Sequence, residues 1–247
     1  MSAWLILGAA GGIATAVGRE LGSRAHTLIL ADREEMADRL TRNADDLRAR
    51  FGISVHTLQF DALDFAGHAA LLDKAEQLAG PLDGVLFAVG VMWDQELLQG
   101  NASKAKQHHD INYTSATSLL GLVADRFEKR ERGQIVAIGS PAGDRGRQSN
   151  YLYGADKAAL HLFMQGLRQR LARCGVSVLT VKPGPTRTPM TDGMKNLPLP
   201  STPDRVASDI ARAIDRRSEV VYTPWFWRYI MIILRHIPER IFKRLSM

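Results

Sequence analysis

The 247-residue chain is 45% hydrophobic and 23% charged, an ordinary globular composition with enough length for one large α/β domain and a sizeable core. Cys174 is its single cysteine, which excludes an internal disulfide framework and any two-cysteine metal or redox motif and fits a reducing compartment. The formal charge of +6 is concentrated after residue 223, where five basic residues stand against Glu239; no basic face with a recognisable motif is present, so nucleic acid is not an expected partner.

In chain order, short apolar runs alternate with longer amphipathic ones. Strands are predicted at 4–7, 27–31, 55–60, 84–88, 134–138, 177–182 and 220–222, with helices between them, among others at 13–22, 34–51, 65–78 and 153–174. Strands that are apolar throughout and separated by helices predict a seven-stranded parallel sheet covered on both faces, a three-layer, doubly wound α/β domain over 1–223. Residues 224–247 form an aromatic-basic extension of it. The first strand begins almost at once, without a basic segment and cleavage site, so no secretion signal is expected and the protein is placed in the cytoplasm.

Gly8, Gly11 and Gly12 follow the first strand and open a helix, where small residues let a pyrophosphate approach the helix N-terminus. Asp32, ending the second strand, can accept hydrogen bonds from ribose hydroxyls and repel a 2′-phosphate, which favours NAD; Arg33 can instead neutralise that phosphate, which leaves NADP open. Asp61 ends the third strand, placed either for an adenine edge or to cap the next helix.

Tyr153 and Lys157 stand at i and i+4 on one helix face. A phenol with a pKa near 10 is a poor acid–base catalyst until a neighbouring ammonium stabilises its anion. Ser140, 13 residues upstream at the end of the fifth strand, can hold a substrate oxygen. Asn112 lies in the helix between strands four and five, where it can bend the helix and bind a water linked to Lys157. After the sixth strand, Pro183, Gly184, Thr186 and Thr188 form a rigid turn aimed at the nicotinamide end.

These marks, from about residue 3 to 222, resemble the short-chain dehydrogenase/reductase family of single-domain type. The resemblance implies a Rossmann fold, an Asn112–Ser140–Tyr153–Lys157 tetrad, hydride transfer with NAD or NADP, and frequent assembly into homo-oligomers. It also implies a cofactor cleft formed by Gly8, Gly12, Ile13, Asp32, Arg33, Asp61, Ala62, Gly90, Tyr153, Lys157, Pro183, Gly184, Thr186 and Thr188. The chain departs from the family pattern at Leu7, where a Thr is usual, at Ala14, where the third glycine is usual, and at 87–89, where Phe-Ala-Val replaces Asn-Asn-Ala. A nicotinamide-binding regulatory protein on the same fold is the competing reading, disfavoured because Tyr153 and Lys157 are both present. An epimerase or dehydratase would need a larger C-terminal substrate domain.

Substrate residues are expected at Ser140, Arg145, Arg147 and Met190. The two arginines lie on the loop between Ser140 and Tyr153, suited to a phosphate or carboxylate, with a solvated salt-bridged loop as the alternative. Residues 190–199 read as a lid or as loop anchors. His108 and His109 read as a solvated helix start, and no metal site is expected. Residues 224–238 hold Trp225, Trp227, Tyr229 and a run of isoleucines, too short to span a bilayer. They suit a peripheral contact with the inner membrane surface, a subunit interface or a cover over the substrate cleft. Together with the arginine loop, this tail is similar to reductases of a keto-pentose carried on polyprenyl phosphate, which implies a lipid-linked carbonyl substrate.

Overall fold

The computed structural model describes residues 2–25, 27–193 and 197–245. Seven strands, β1 (Ala3–Leu7), β2 (Thr27–Asp32), β3 (Ser54–Gln59), β4 (Gly84–Phe87), β5 (Gly133–Ile138), β6 (Val176–Pro183) and β7 (Val220–Thr223), pair in parallel in the order β3-β2-β1-β4-β5-β6-β7. The helices are α1 (Gly12–Gly22), α2 (Ala37–Phe51), α3 (His68–Ala79), α4 (Gln95–Leu98), α5 (Ala102–His109), α6 (Ser115–Arg130), α7 (Tyr151–Leu171), α8 (Pro203–Asp215), α9 (Trp227–His236) and α10 (Glu239–Phe242).

Every residue of β1 and of β4 is buried, as strands covered on both faces require. The edge strand β3 is less covered: Val55 packs into one core and Leu58 into the other, while Ser54, Thr57 and Gln59 are exposed. Two cores result. Val17 and Leu21 of α1, Leu47 of α2 and Val206 and Ile210 of α8 cover one face. Leu72 of α3, Leu119 and Phe127 of α6 and Leu160 and Met164 of α7 cover the other. Each such fully buried side chain contributes about 2 kcal/mol of hydrophobic stabilisation. The chain reverses its direction of winding between β1 and β4, so the crevice for a ligand lies at the C-terminal ends of these two strands.

The expected strands are all present, while several helix ends differ. The helix expected from residue 34 opens as a 3-10 turn, Glu34–Met36, before α2. The helix expected from Tyr153 begins at Tyr151, so Tyr153 stands in its first turn. The tail is not one helix: Pro238 separates α9 from α10. Its circumference is not uniformly free either, because Trp227, Met231 and Phe242 are buried against the domain.

Candidate active site

Ser140 follows β5 and opens a 3-10 turn, Pro141–Asp144, its Oγ accepting from the Ala142 amide at 3.1 Å. Its hydroxyl also lies close enough to the Tyr153 phenol to favour the phenolate. Burial nevertheless dominates and pushes the Tyr153 pKa up to about 12, helped by the charge of Asp156 and opposed by Ser140 and by the Arg147 guanidinium. Lys157 lies one turn later with Nζ 5.6 Å from the Tyr153 ring centre and donating to the Ile138 carbonyl at 3.1 Å. Burial brings the lysine down to about 8, with Asp156 holding its proton on. A methyl group placed on Gly90 would stand 3.0 Å from Asn112 Oδ1 and 3.2 Å from Lys157 Nζ, so these two side chains meet just beyond the end of β4.

Asn112 is fully buried in a π-helical turn, Asp110–Thr114, between α5 and α6. Its amide is clamped to one backbone unit: Oδ1 accepts from the Val91 N–H at 2.9 Å and Nδ2 donates to the Val91 carbonyl at 3.0 Å. Wider turns of this kind are found mostly where a helix serves a functional site.

The histidine pair requires a correction. His108 and His109 end α5 rather than start a solvated helix, and His108 is 1% exposed. Asp156, itself buried, stands 2.7 Å from His108 Nδ1, 2.8 Å from His109 Nδ1 and 3.3 Å from Asn112 Nδ2. Burial raises the Asp156 pKa, and the two imidazoles more than offset that and leave it below its ordinary value. The His108 ring packs edge-on to Tyr153, 6.3 Å between centres. No sequence spacing predicts this clamp, since the partners are 44 residues apart or more; an acid in the helical turn between Tyr153 and Lys157 was the one available signal.

The cofactor end can be tested against the residues present. Gly8 has φ +77°, and a side chain there would meet the Ala88 backbone at 3.0 Å, so only glycine serves. Gly11 caps α1 without a side chain and the first turn of α1 holds no acid, which leaves its N–H groups open to an anion. Thr188 approaches the same turn: a methyl on Gly12 would lie 3.0 Å from its Cγ2. Lys157 uses one donor on Ile138, which leaves others for ribose hydroxyls. These features fit a dinucleotide. Asp32 accepts from the Ala10 and Arg33 amides at 2.8 and 2.9 Å, bracing the glycine turn, while Arg33 is exposed beside Glu35. Asp61 accepts from the Leu63 amide in its own turn, next to Ala62. Thr186 donates to the Gly184 carbonyl, so its hydroxyl is spent within the turn.

On the substrate side, Arg145 is turned away from the cleft. It pairs with Glu239 at 2.6 Å, reaches the Arg235 and Ile237 carbonyls and stacks on Phe242, so it fastens the tail. Arg147 is half-buried, and its positive charge is near enough to Tyr153 to ease ionisation of the phenol. Met190 is exposed in the turn Pro189–Thr191, and residues 194–196 of the expected lid lie outside the described residues. Asp144, on the same loop, anchors it to β6 and β7: Lys182 Nζ and the Tyr222 hydroxyl lie at 2.6 Å and His161 Nδ1 at 3.5 Å.

A sequence profile of the short chain dehydrogenase family matches residues 2–196. An uncharacterized oxidoreductase of Mycobacterium tuberculosis is 37% identical over 232 residues, 93% of this chain and 92% of that one. The chain belongs to the short-chain dehydrogenase family. A further oxidoreductase, from Streptomyces coelicolor, is 35% identical over 98% of this short-chain dehydrogenase and 94% of its own length. Among solved structures, a short-chain dehydrogenase from Sphingobium yanoikuyae in complex with NADPH superposes with a TM-score of 0.83 at 27% identity, covering 97% of both chains. A bulky-bulky ketone specific alcohol dehydrogenase from Comamonas testosteroni reaches 0.79 at 25% identity, over 97% of this chain and 96% of that one. As a short-chain dehydrogenase the protein is a nicotinamide-dependent oxidoreductase.

Proposed function

We propose that the protein interconverts a carbonyl and an alcohol, with Tyr153 as the group that exchanges the proton. The observation that carries this reading is the convergence of Ser140 and Lys157 on one half-buried phenol. When bound, a nicotinamide cofactor supplies or accepts the hydride. Ser140 holds the substrate oxygen, and Tyr153, protonated at neutral pH, donates to that oxygen as negative charge develops on it. Lys157 places a positive charge beside the phenol and offers its remaining donors to the ribose. Asn112 keeps the helix open next to Lys157, on the path by which the phenol regains a proton from solvent. Tyr153→Phe removes the proton without disturbing the ring packing, and kcat is expected to fall about 10²- to 10⁴-fold. A variant with full reductase activity would refute the assignment.

Asp32 supports NAD and the exposed Arg33 supports NADP; titration with NADH and NADPH, followed by nicotinamide fluorescence, decides between them. The candidate substrates are bulky ketones and keto-sugars, including a keto-sugar on a polyprenyl carrier. The lipid-linked option is supported by the outer face of the tail, where Trp225 just before α9 and Tyr229 and Ile233 on it are 65%, 58% and 65% exposed among arginines. This reading takes that face as a peripheral contact with an anionic membrane, tested by vesicle co-sedimentation. The homo-oligomer that the family implies is part of the same reading and is tested by light scattering.

A further inference from the structure

The arginines that are partly buried in this fold have partners. Arg126 pairs with Asp73 and Glu76, Arg130 with Glu76 and the Leu82 carbonyl, and Arg168 with the Val178 and Glu219 carbonyls. Arg145, two residues from Arg147, is spent on the tail. Arg130 also keeps a shielded Nε and Nη1 without hydrogen bonds, but it stands against Glu76; Arg147 differs in that its shielded Nε lacks a hydrogen-bond partner and its guanidinium has no carboxylate within ion-pair reach among the described residues. The loop does not force this, because its neighbours Gly146, Gln148 and Ser149 are exposed while Arg147 alone is turned inward. A guanidinium partly withdrawn from water without a counter-charge is unfavourable, and a long flexible side chain on a surface loop escapes that cost by swinging out. Burial accordingly lowers the pKa of the group, and the one charge-bearing side chain it senses is Tyr153.

Two more buried polar atoms lack partners close by in the chain. Asn150 Oδ1 precedes the first turn of α7, and Gln95 Nε2 belongs to the side chain whose Oε1 accepts from the Leu152 amide at 3.0 Å. Donors and an acceptor without partners therefore bracket the helical turn that carries Tyr153.

We infer that Arg147 is an anion anchor for the substrate: the compound turned over at Tyr153 carries a carboxylate or phosphate group, which pairs with this guanidinium. A planar fork of donors suits either group bidentately, and the pairing orients the carbonyl toward Ser140 and Tyr153. The inference rests on the reading of Tyr153 as the proton donor, but the anion site can be assayed without turnover.

The full-length protein and Arg147→Gln are melted with malonate or inorganic phosphate, against sodium chloride of equal ionic strength. The expected result is a rise in Tm for the wild type that Arg147→Gln loses and Arg147→Lys partly restores; malonate against phosphate distinguishes the two anion types. Kinetically, a β-keto acid is compared with its ethyl ester, and a ketose phosphate with the free ketose. The charged-to-neutral ratio of kcat/KM should fall at least tenfold in Arg147→Gln, mainly through KM. Equal shifts in both proteins, or no shift in either, overturn the anchor. An Arg147-dependent shift in a protein that reduces no carbonyl leaves the anchor standing and removes the reading of Tyr153; charge-blind turnover without the shift does the reverse.

Discussion

At Tyr153 two opposing influences are set against each other. Burial and Asp156 keep the phenol protonated, while Ser140 and Arg147 ease its ionisation. An acid held near 12 is fully protonated at neutral pH, which suits proton donation to a nascent alkoxide; removing a proton from an alcohol would require the disfavoured phenolate. Carbonyl reduction is therefore expected to run at neutral pH, and alcohol oxidation to gain as pH rises. Lys157 works in the other direction, since its positive charge is lost as pH passes about 8 and the phenol then stands without it. Asp156 is the charge that keeps the lysine protonated, among surroundings that include His108, His109, Arg147 and, beyond His109, Asp110. Replacing Asp156 by Asn should thus move the alkaline limb of the reduction profile to lower pH and lower kcat more than it raises KM. A merely structural loss would reduce activity equally at every pH, and that result would deny Asp156 its positioning role. The Tyr153–Lys157 pair was legible in the sequence because its spacing is local, one helical turn, while Ser140 and Asn112 joined it as a tetrad only through the family resemblance. Asp156 was not, because its meaning depends on two histidines brought to it by the packing of α5 on α7.

Among the elements, the strands were readable because each is a short apolar run bounded by polar residues, and burial on both faces demands nothing else. What escaped were the devices that depend on contacts distant in the chain. The bend at Asn112 was expected from the residue, but its form as a π turn has no compositional mark, and the kink of the tail was visible only as Pro238. The loop between Ser140 and Tyr153 shows the same limit. Its arginines drew the eye, yet the residue that holds the loop is Asp144, whose side chain is 4% exposed and meets Lys182 and Tyr222 from β6 and β7. Burial alone would raise that carboxyl; the bonds from His161, Lys182 and Tyr222 outweigh it and hold the group at about 2. A depressed carboxylate pKa contributes stability that is present above its unfolded value near 3.9 and is lost as pH falls toward 2. Asp144→Asn should therefore cost about 1 to 2 kcal/mol at pH 7 in urea unfolding, and the gap between the two proteins should close between pH 4 and pH 2. A gap that stays constant over that range would show that the ion pairs contribute nothing and that the variant suffers from packing alone.

For the molecule as a whole, the reacting groups gather at the C-terminal ends of the strands, and the tail closes over the same end. Trp227 of α9 packs its indole against Gly184 in the turn after β6, a contact that a side chain at 184 would prevent, and Arg145 ties α10 to the catalytic loop. One face of the tail is thereby fixed to the active-site rim, and the opposite face is left to solvent. That outer face carries Trp225, Tyr229, Ile232, Ile233 and Ile241, flanked by exposed Arg228, Arg235, Arg240, Lys243 and Arg244. No helix among the described residues is long and apolar enough to cross a membrane, so any lipid contact made here is peripheral. Aromatic rings at headgroup depth and basic side chains against anionic lipid, about 1 kcal/mol for each basic residue near the surface, would hold the cleft beside the bilayer. The full-length protein is expected to sediment with phosphatidylglycerol vesicles, to bind neutral phosphatidylcholine vesicles weakly, and to be released by 0.5 M salt as screening shortens the reach of the charges to about 4 Å or less. The double variant Trp225→Ser/Ile233→Ser, which alters outward side chains only, should bind at least tenfold more weakly while its melting temperature stays near that of the wild type. Equal partitioning of the two proteins would remove the membrane contact. A wild type that is oligomeric in light scattering, with a monomeric double variant, would assign the face to a second copy of the chain.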